Sequence, residues 1–307
     1  MTRRTALAAC GALAAFATKA RSQQADPNPK FGRSAPRRTM PMLCGFSGNL
    51  AKIRYAELGM IAQQIGYEGI DLTVQIGGHV DPRITNVDLI RAFESVRGAG
   101  LEVPMITTDI TMASERTTYP VLYLTGHSQI PLFRLGLWRY PGGGDLQQTL
   151  LQVRHDVAEI VAVAQRCEIT AMFPNRAGFV GESVTDTQTI IGDMNPQGSG
   201  YYFDPAEAGD KWEAAFRVAL PRLKAISLQD FKWEQADGEK KLKKCPLGEG
   251  LVDWQKFFGI AVGAKFTGPI SIHMEYKPAD EPGSMARDLE FVRKQVQQAW
   301  TPTEPRS

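Results

Sequence analysis

From Met40 onward, apolar stretches of strand length alternate regularly with segments of helical periodicity. The strand-like stretches begin near residues 40, 69, 101, 131, 168, 200, 224 and 268. The clearest helix is predicted over 146–165, where Leu150 and Val157 belong to one apolar stripe. Such alternation predicts a parallel sheet, and eight strand–helix units predict a closed α/β barrel of the (β/α)8 TIM type. A doubly wound open sheet is the alternative, but no Gly-rich phosphate-binding fingerprint supports it.

Composition limits the class of partner. The chain has 307 residues, of which 43% are hydrophobic, so it can bury one large core, expected as a single domain over 40–300 with a short tail at 301–307. The formal net charge is only +2, which argues against a nucleic-acid partner and favours a small molecule. A homo-oligomer is left open. Cys44, Cys167 and Cys245 have no CxxC spacing, so neither a disulfide framework nor a thiolate metal site is indicated.

The first 20 residues have the layout of an export signal. Arg3 and Arg4 precede an Ala/Leu-rich run that ends in small residues. The adjacent arginines favour the twin-arginine route, and therefore a periplasmic or secreted protein with no membrane span after signal removal. Residues 21–39 are rich in Pro, Arg, Ser and Gln and are expected to form a disordered leader. A buried N-terminal helix and a lipid-attachment box at Cys10 are the alternatives.

Polar residues at the ends of the strand-like stretches are the candidates for chemistry, because such barrels carry their functional groups there. In the last stretch, GPISIHMEY over 268–276, His273 and Glu275 share one face, since side chains alternate along a strand. Asp204 ends the sixth stretch. We predict Glu275 and His273 as catalytic residues, and Asp204, Glu275 and His273 as ligands of Mn, Mg or Zn. Each can instead be structural, as a salt-bridge partner, a helix cap or a hydrogen-bonded core histidine.

Other polar side chains at the same strand ends and loops are predicted to bind substrate. They are His79, Arg134, Trp138, Asn175 and Asp230. His79 follows two glycines in a tight loop, and the remaining four come at or near the ends of the fourth, fifth and seventh stretches.

Several segments resemble the sugar phosphate isomerase/epimerase family of xylose isomerase-like TIM barrels, which is related to endonuclease IV. The segments are GYEGIDLTVQIGGHVDP, GLEVPMITTDIT, CPLGEGLVDW and FTGPISIHMEY, and the resemblance covers residues 40 to about 298. It implies one divalent cation at the carboxyl-terminal mouth of the barrel and proton transfer next to a sugar carbonyl.

The family's metal ligands match this chain only in part. Glu275 and Asp204 stand where the family has carboxylate ligands on the eighth and sixth strands. The fifth strand lacks the usual Glu and reads Met-Phe-Pro at 172–174, and the seventh reads Ser-Leu-Gln-Asp at 227–230 instead of His-x-Lys-Asp. A missing base puts two-base epimerisation in doubt, while single-base isomerisation or elimination stays open.

The sequence therefore predicts a metal-assisted isomerase, epimerase or lyase that acts on a sugar or sugar derivative. An exported enzyme rarely meets sugar phosphates, so an unphosphorylated or oxidised sugar is expected. Two alternatives stay open: a non-catalytic sugar-binding protein on the same scaffold, and a metal-free enzyme that uses His273 and Glu275.

Overall fold

The computed structural model describes residues 38–236, 238–278 and 280–301. These residues belong to one compact unit. The predicted export signal, the leader as far as residue 37 and the tail after residue 301 lie outside the described residues. None of the described helices is both long and apolar enough to cross a bilayer.

The strands form a closed parallel barrel and one separate hairpin. In chain order they are β1 (Leu43–Phe46), β2 (Gly69–Val74), β3 (Glu102–Thr108), β4 (Leu132–Arg134), β5 (Thr170–Pro174), β6 (Ser199–Phe203), β7 (Leu223–Leu228), β8 (Asp230–Ala236), β9 (Glu239–Cys245) and β10 (Ile270–Ile272). Strands β1 to β7 and β10 make the barrel, which closes where β1 pairs with β10. The predicted (β/α)8 fold is confirmed.

Helices follow the strands and cover the outside of the barrel. They are α1 (Tyr55–Ile65), α2 (Thr85–Gly98), α3 (Thr118–His127), α4 (Leu146–Arg166), α5 (Val184–Ile191), α6 (Pro205–Ala208), α7 (Trp212–Ala219), α8 (Trp254–Gly263) and α9 (Glu281–Trp300). On α4, the predicted stripe with Leu150 and Val157 is buried. Asp145 accepts a hydrogen bond from the Gln147 amide and so fixes where α4 begins.

Two segments differ from the sequence prediction. The helix expected over 209–219 begins as a 3-10 turn over Gly209–Lys211 and continues as α7, and the short helix α6 precedes it and ends where Gly209 takes a positive φ of 57°. The excursion expected over 231–250 contains the antiparallel hairpin of β8 and β9, in which Asp230 is paired with Cys245. This hairpin extends beyond the barrel end at which β7 finishes and brings lysines of β9 back toward the barrel mouth.

The inside of the barrel changes from apolar to polar along the strands. Met105, Met172, Tyr202 and Ala225 form an apolar cluster that is separate from the large core between barrel and helices. On three of these four strands the next inward residue, two positions further on, is polar: Thr107, Asp204 and Ser227. The apolar layer fills the barrel interior on the side of the amino ends of the strands, and the polar layer faces the barrel mouth at their carboxyl ends.

Candidate active site

A cavity of about 240 Å³ opens at the carboxyl ends of β5, β6, β7 and β10. Five of the residues predicted from the sequence line it: Arg134, Asn175, Asp204, His273 and Glu275. The fold therefore brings together the residues that the strand-end rule selects. A larger open groove of about 890 Å³ adjoins it at Glu275 and is lined by the lysine-rich hairpin. We place the site in the smaller cavity, because the strand-end acids and the imidazole converge there.

Hydrogen bonds to both carboxylate oxygens and to the main chain hold Asp204 in place. Its Oδ1 accepts from the Ala206 amide at 2.9 Å and caps α6, while its Oδ2 accepts from Ser227 Oγ at 2.7 Å and Gln229 Nε2 at 2.8 Å. The Asn175 side chain exchanges two hydrogen bonds with the Asp204 main chain. Burial raises the pKa of Asp204, although the charge of Lys244 opposes that change.

Gln229 leaves one polar atom without a partner. Its Nε2 donates to Asp204, but its buried Oε1 accepts no hydrogen bond from the described residues. An unsatisfied buried acceptor costs about 1–3 kcal/mol. Since Gln229 lines the cavity, a hydroxyl group of a bound ligand can satisfy this oxygen.

Arg176 links two acids across the cavity. Its Nη1 donates to Glu275 Oε1 at 2.7 Å and lies 3.2 Å from Glu207 Oε1. Lys244 Nζ, which comes from β9, contacts the same Glu207 oxygen at 2.7 Å. Burial raises the pKa of Glu275, but the hydrogen bond and charge of Arg176 outweigh burial and the net shift is downward. Glu275 is therefore an ionised carboxylate at neutral pH.

The Nε2 atom of His273 points into the barrel interior. This nitrogen lies 2.8 Å from Tyr202 Oη and 3.1 Å from Ser271 Oγ. The imidazole ring stacks on Phe46, with 3.9 Å between ring centroids and 8° between planes. No described residue makes a hydrogen bond to Nδ1, so this nitrogen is left for a ligand in the cavity.

Asp71 determines which nitrogen of His273 carries the proton. It is fully buried and accepts from Tyr202 Oη at 3.0 Å and Ser271 Oγ at 2.9 Å, both at Oδ2, and from Thr107 Oγ1 at 2.9 Å at Oδ1. Each hydroxyl has one hydrogen. Because Tyr202 and Ser271 direct theirs to Asp71, their oxygens can only accept from His273. Neutral His273 is therefore protonated at Nε2 and carries its lone pair on Nδ1.

Three residues predicted to bind substrate lie away from this cavity. His79 contacts the Leu50 carbonyl oxygen through Nε2 at 3.1 Å, and Trp138 Nε1 donates to Asp156 at 3.2 Å. Asp230 accepts from the amides of the loop after β9 and from the Trp254 indole at 2.9 Å. The structure gives each a structural partner, and their role in substrate binding stays a prediction. Arg134 does reach the cavity, and burial lowers its pKa.

The donor set does not fit the predicted divalent metal. Asp204, Glu275 and His273 share the cavity, but Asp204 accepts from three N–H or O–H groups and Glu275 is paired with Arg176. In the part of the chain that the structure describes, no three His, Cys, Asp or Glu side chains are grouped so that they could hold an ion.

Several residues that build the site carry no role assigned from the sequence. Tyr202 and Asp71 hold His273, and Arg176, Glu207 and Lys244 form the ion-pair cluster. Tyr202 stands two residues before Asp204, so the alternation that paired His273 with Glu275 could have found it. Lys244 belongs to a lysine run that reads as a solvated surface, and only the hairpin shows where it points.

Comparisons with known proteins agree with the fold. The family model described as xylose isomerase-like TIM barrel matches residues 123–295, more than half of the chain. No curated protein matches the chain in sequence.

Solved structures share the fold at low sequence identity. A xylose isomerase-like TIM barrel protein from Mycobacterium smegmatis, in complex with magnesium, has a TM-score of 0.69 at 14% identity, over 86% of this chain and 98% of that one. The 3-keto-D-glucoside 4-epimerase from E. coli has 0.64 at 12%, over 83% and 99%. The probable 3-DHS dehydratase from Bacillus anthracis has 0.64 at 12%, over 82% and 98%. Taken with the family match, the closed barrel and its strand-end site lead to one conclusion: the chain belongs to the xylose isomerase-like TIM barrel family.

Proposed function

We propose that the protein is an isomerase, epimerase or lyase that transfers a proton next to the carbonyl group of a sugar or sugar derivative. The observation that carries this proposal is the orientation of His273, whose Nε2 is held by the Asp71–Tyr202–Ser271 cluster. A neutral imidazole fixed in this way presents an unprotonated Nδ1, which can act as a general base.

The chemistry uses groups that line one cavity. His273 Nδ1 removes the proton from the carbon next to the carbonyl, and the C–H electron pair moves to form an enediolate. The negative charge that develops on the carbonyl oxygen is stabilised by the guanidinium of Arg176. Asp71, 3.9 Å from His273 Nε2, stabilises the imidazolium that forms. If the imidazolium returns the proton to the same face of that carbon, the result is only exchange with solvent. If it gives the proton to the neighbouring carbon while the hydroxyl proton passes to the former carbonyl oxygen, the sugar is isomerised. If it protonates a departing group instead, the result is elimination.

Two further groups orient the substrate. Gln229 Oε1 has no donor among the described residues, and Glu275 Oε2 is not used by Arg176. Both oxygens accept hydrogen bonds, so they suit the hydroxyl groups of a sugar. The predicted export signal narrows the substrate to an unphosphorylated or oxidised sugar.

A sugar-binding protein without catalysis is the second candidate. The observation that favours it is the replacement of two expected metal ligands, by Met172 on β5 and Ser227 on β7. A scaffold that has lost its metal can retain a binding cavity, since fold alone does not establish activity.

Proton exchange separates the two candidates. The mature protein is incubated in deuterated water with aldoses, ketoses and 3-keto sugars, and deuterium at the carbon next to the carbonyl is followed by proton NMR. We expect exchange in at least one sugar, lowered by roughly 10²–10⁴ in His273→Gln. His155→Gln, on the exposed face of α4, is the matched control and keeps the wild-type rate. Saturable sugar binding with no exchange would instead identify a binding protein.

A further inference from the structure

Side-chain cations stand among the acids at the mouth of this barrel. Three acids line one cavity: Asp204, Glu207 and Glu275. The negative charge of each favours the charged form of Arg176 and raises its pKa. We infer that the guanidinium of Arg176, fixed by Glu207 and Glu275, takes the place of a divalent metal ion as the positive charge of the site. The role of Arg176 in catalysis rests on the proposed function, whereas the prediction that no metal binds here does not.

Both oxygens of Asp204 already accept hydrogen bonds, with which a metal would have to compete. Its side chain accepts hydrogen bonds of 2.7, 2.8 and 2.9 Å from Ser227, Gln229 and the Ala206 amide. Only 4% of its surface is exposed. A metal at Oδ2 would have to displace the Ser227 or Gln229 bond and leave that buried donor without a partner, and Oδ1 is already held by the Ala206 amide at the start of α6.

Both oxygens of Glu207 are engaged as well. Its side chain is 6% exposed, its Oε1 contacts both Arg176 and Lys244, and its Oε2 accepts from the Ala177 amide at 3.0 Å. Lys244 is itself only 14% exposed. With Asp204 ionised, the three carboxylates and two cations leave a net charge of only −1, so Arg176 and Lys244 weaken the attraction for a divalent ion and already occupy oxygens of Glu207 and Glu275 that would bind it.

The two strand positions at which the family has further metal ligands are occupied by Met172 and Ser227 in this chain. Met172 faces the barrel interior on β5 and is fully buried, and its thioether is a soft ligand unsuited to Mg or Mn. Ser227 on β7 donates its hydroxyl hydrogen to Asp204. Met172 therefore belongs to the apolar layer, and Ser227 supports the hydrogen-bonded acid.

Arg176 keeps donors available for a substrate. Only its Nη1 contacts Glu275 and Glu207, and no described group accepts from Nε or Nη2. Its side chain is 37% exposed at the cavity. A guanidinium presents parallel N–H donors and stays charged, so it can bind a carbonyl oxygen as the oxygen gains negative charge.

Manganese binding tests this inference without any substrate. The full mature protein is titrated with MnCl2 and followed by electron paramagnetic resonance and calorimetry. We expect no stoichiometric Mn²⁺ binding by the wild type at millimolar concentrations and no change of melting temperature on adding EDTA. One tightly bound equivalent, lost in Glu275→Gln, would overturn the inference.

A designed variant reverses the arrangement. The triple variant combines Met172→Glu and Ser227→His, which restore two expected ligands, with Arg176→Ala, which removes the cation. We expect this variant to bind one Mn²⁺. Adding Glu275→Gln should abolish that binding. A folded triple variant that binds no Mn²⁺ would contradict the assignment of these positions. Should it fail to fold, the wild-type titration still decides the question.

Activity supplies the second readout. Deuterium exchange is expected to be unchanged by EDTA and lowered about 10²–10³-fold in Arg176→Gln, as for loss of one preorganised donor. Arg166→Gln, on the exposed end of α4, is the matched control. Loss of exchange in EDTA with recovery on adding Mn²⁺ would overturn the inference. Absence of exchange with every sugar counts against the proposed function alone, and the titration then judges the metal site.

Discussion

Replacing Asp71 by Val is expected to reverse the tautomer of His273. In the wild type, Tyr202 and Ser271 donate to Asp71 and accept from His273 Nε2. Without the carboxylate, the nearest acceptor for these hydroxyl hydrogens is His273 Nε2 itself. The imidazole proton then moves to Nδ1, and the nitrogen that faces the cavity becomes a donor.

The size of the effect follows from the hydrogen bonds of Asp71. Three hydroxyls lose their acceptor, and His273 Nε2 can accept from only one of them. Two unsatisfied hydroxyls cost about 1–3 kcal/mol each, and removal of a buried charge offsets part of this, so we expect a net loss of about 2–4 kcal/mol in the free energy of unfolding. Loss of the general base lowers the deuterium exchange rate by roughly 10²–10⁴.

Long-range ¹H–¹⁵N spectra of ¹⁵N-histidine-labelled protein report the tautomer directly. At alkaline pH, where imidazoles are neutral, the wild type should show His273 protonated at Nε2, and Asp71→Val should show it protonated at Nδ1. Thr107→Val is the control, because it removes only the bond to Oδ1 and leaves Oδ2 with both hydroxyls. A wild-type signal from Nδ1–H, or the same tautomer in both proteins, would refute the reasoning.

Three further predictions concern stability. Burial raises the pKa of Asp288 from 3.8 to about 6, so the folded state binds this proton more tightly and its contribution to stability falls as pH rises from about 4 to about 6. In urea unfolding, Asp288→Asn should therefore gain about 3 kcal/mol over the wild type between about pH 4 and about pH 7, and parallel curves would contradict this. Phe257 is fully buried and stacks on Phe216 at 4.2 Å, so Phe257→Ala should cost about 3–5 kcal/mol; the exposed Met60→Ala should change stability by less than about 0.5 kcal/mol. Asp230→Ala removes the acceptor of Gly248, Gly250 and Trp254 and should cost about 3 kcal/mol or more, with faster hydrogen exchange at those two amides; unchanged exchange would show that the loop does not depend on Asp230.

Local periodicity by itself determined the barrel and the inward face of its strands. The alternation of strand and helix patterns predicted all eight barrel strands. This is because side chains repeat their direction every 2 residues in a strand and every 3.6 residues in a helix, so both patterns can be recognised from residues that are close in the sequence. The same alternation placed His273 and Glu275 together, and the strand-end rule placed Asp204 and Asn175 in the same cavity.

Only the tertiary structure decided which side chains meet. Barrel closure brings Asp71 to Ser271 across 200 residues and to Tyr202 across 131, and it brings Arg176 to Glu275 across 99. A strand pattern shows which residues face inward, but strand register and the β8–β9 hairpin select their partners. Their positions at the strand ends place Asp204 and Glu275 at the mouth of the barrel, while their functional role stays a prediction. Their partners proved to be hydroxyl, amide and guanidinium donors, because the packing of distant strands places those donors within hydrogen-bond distance.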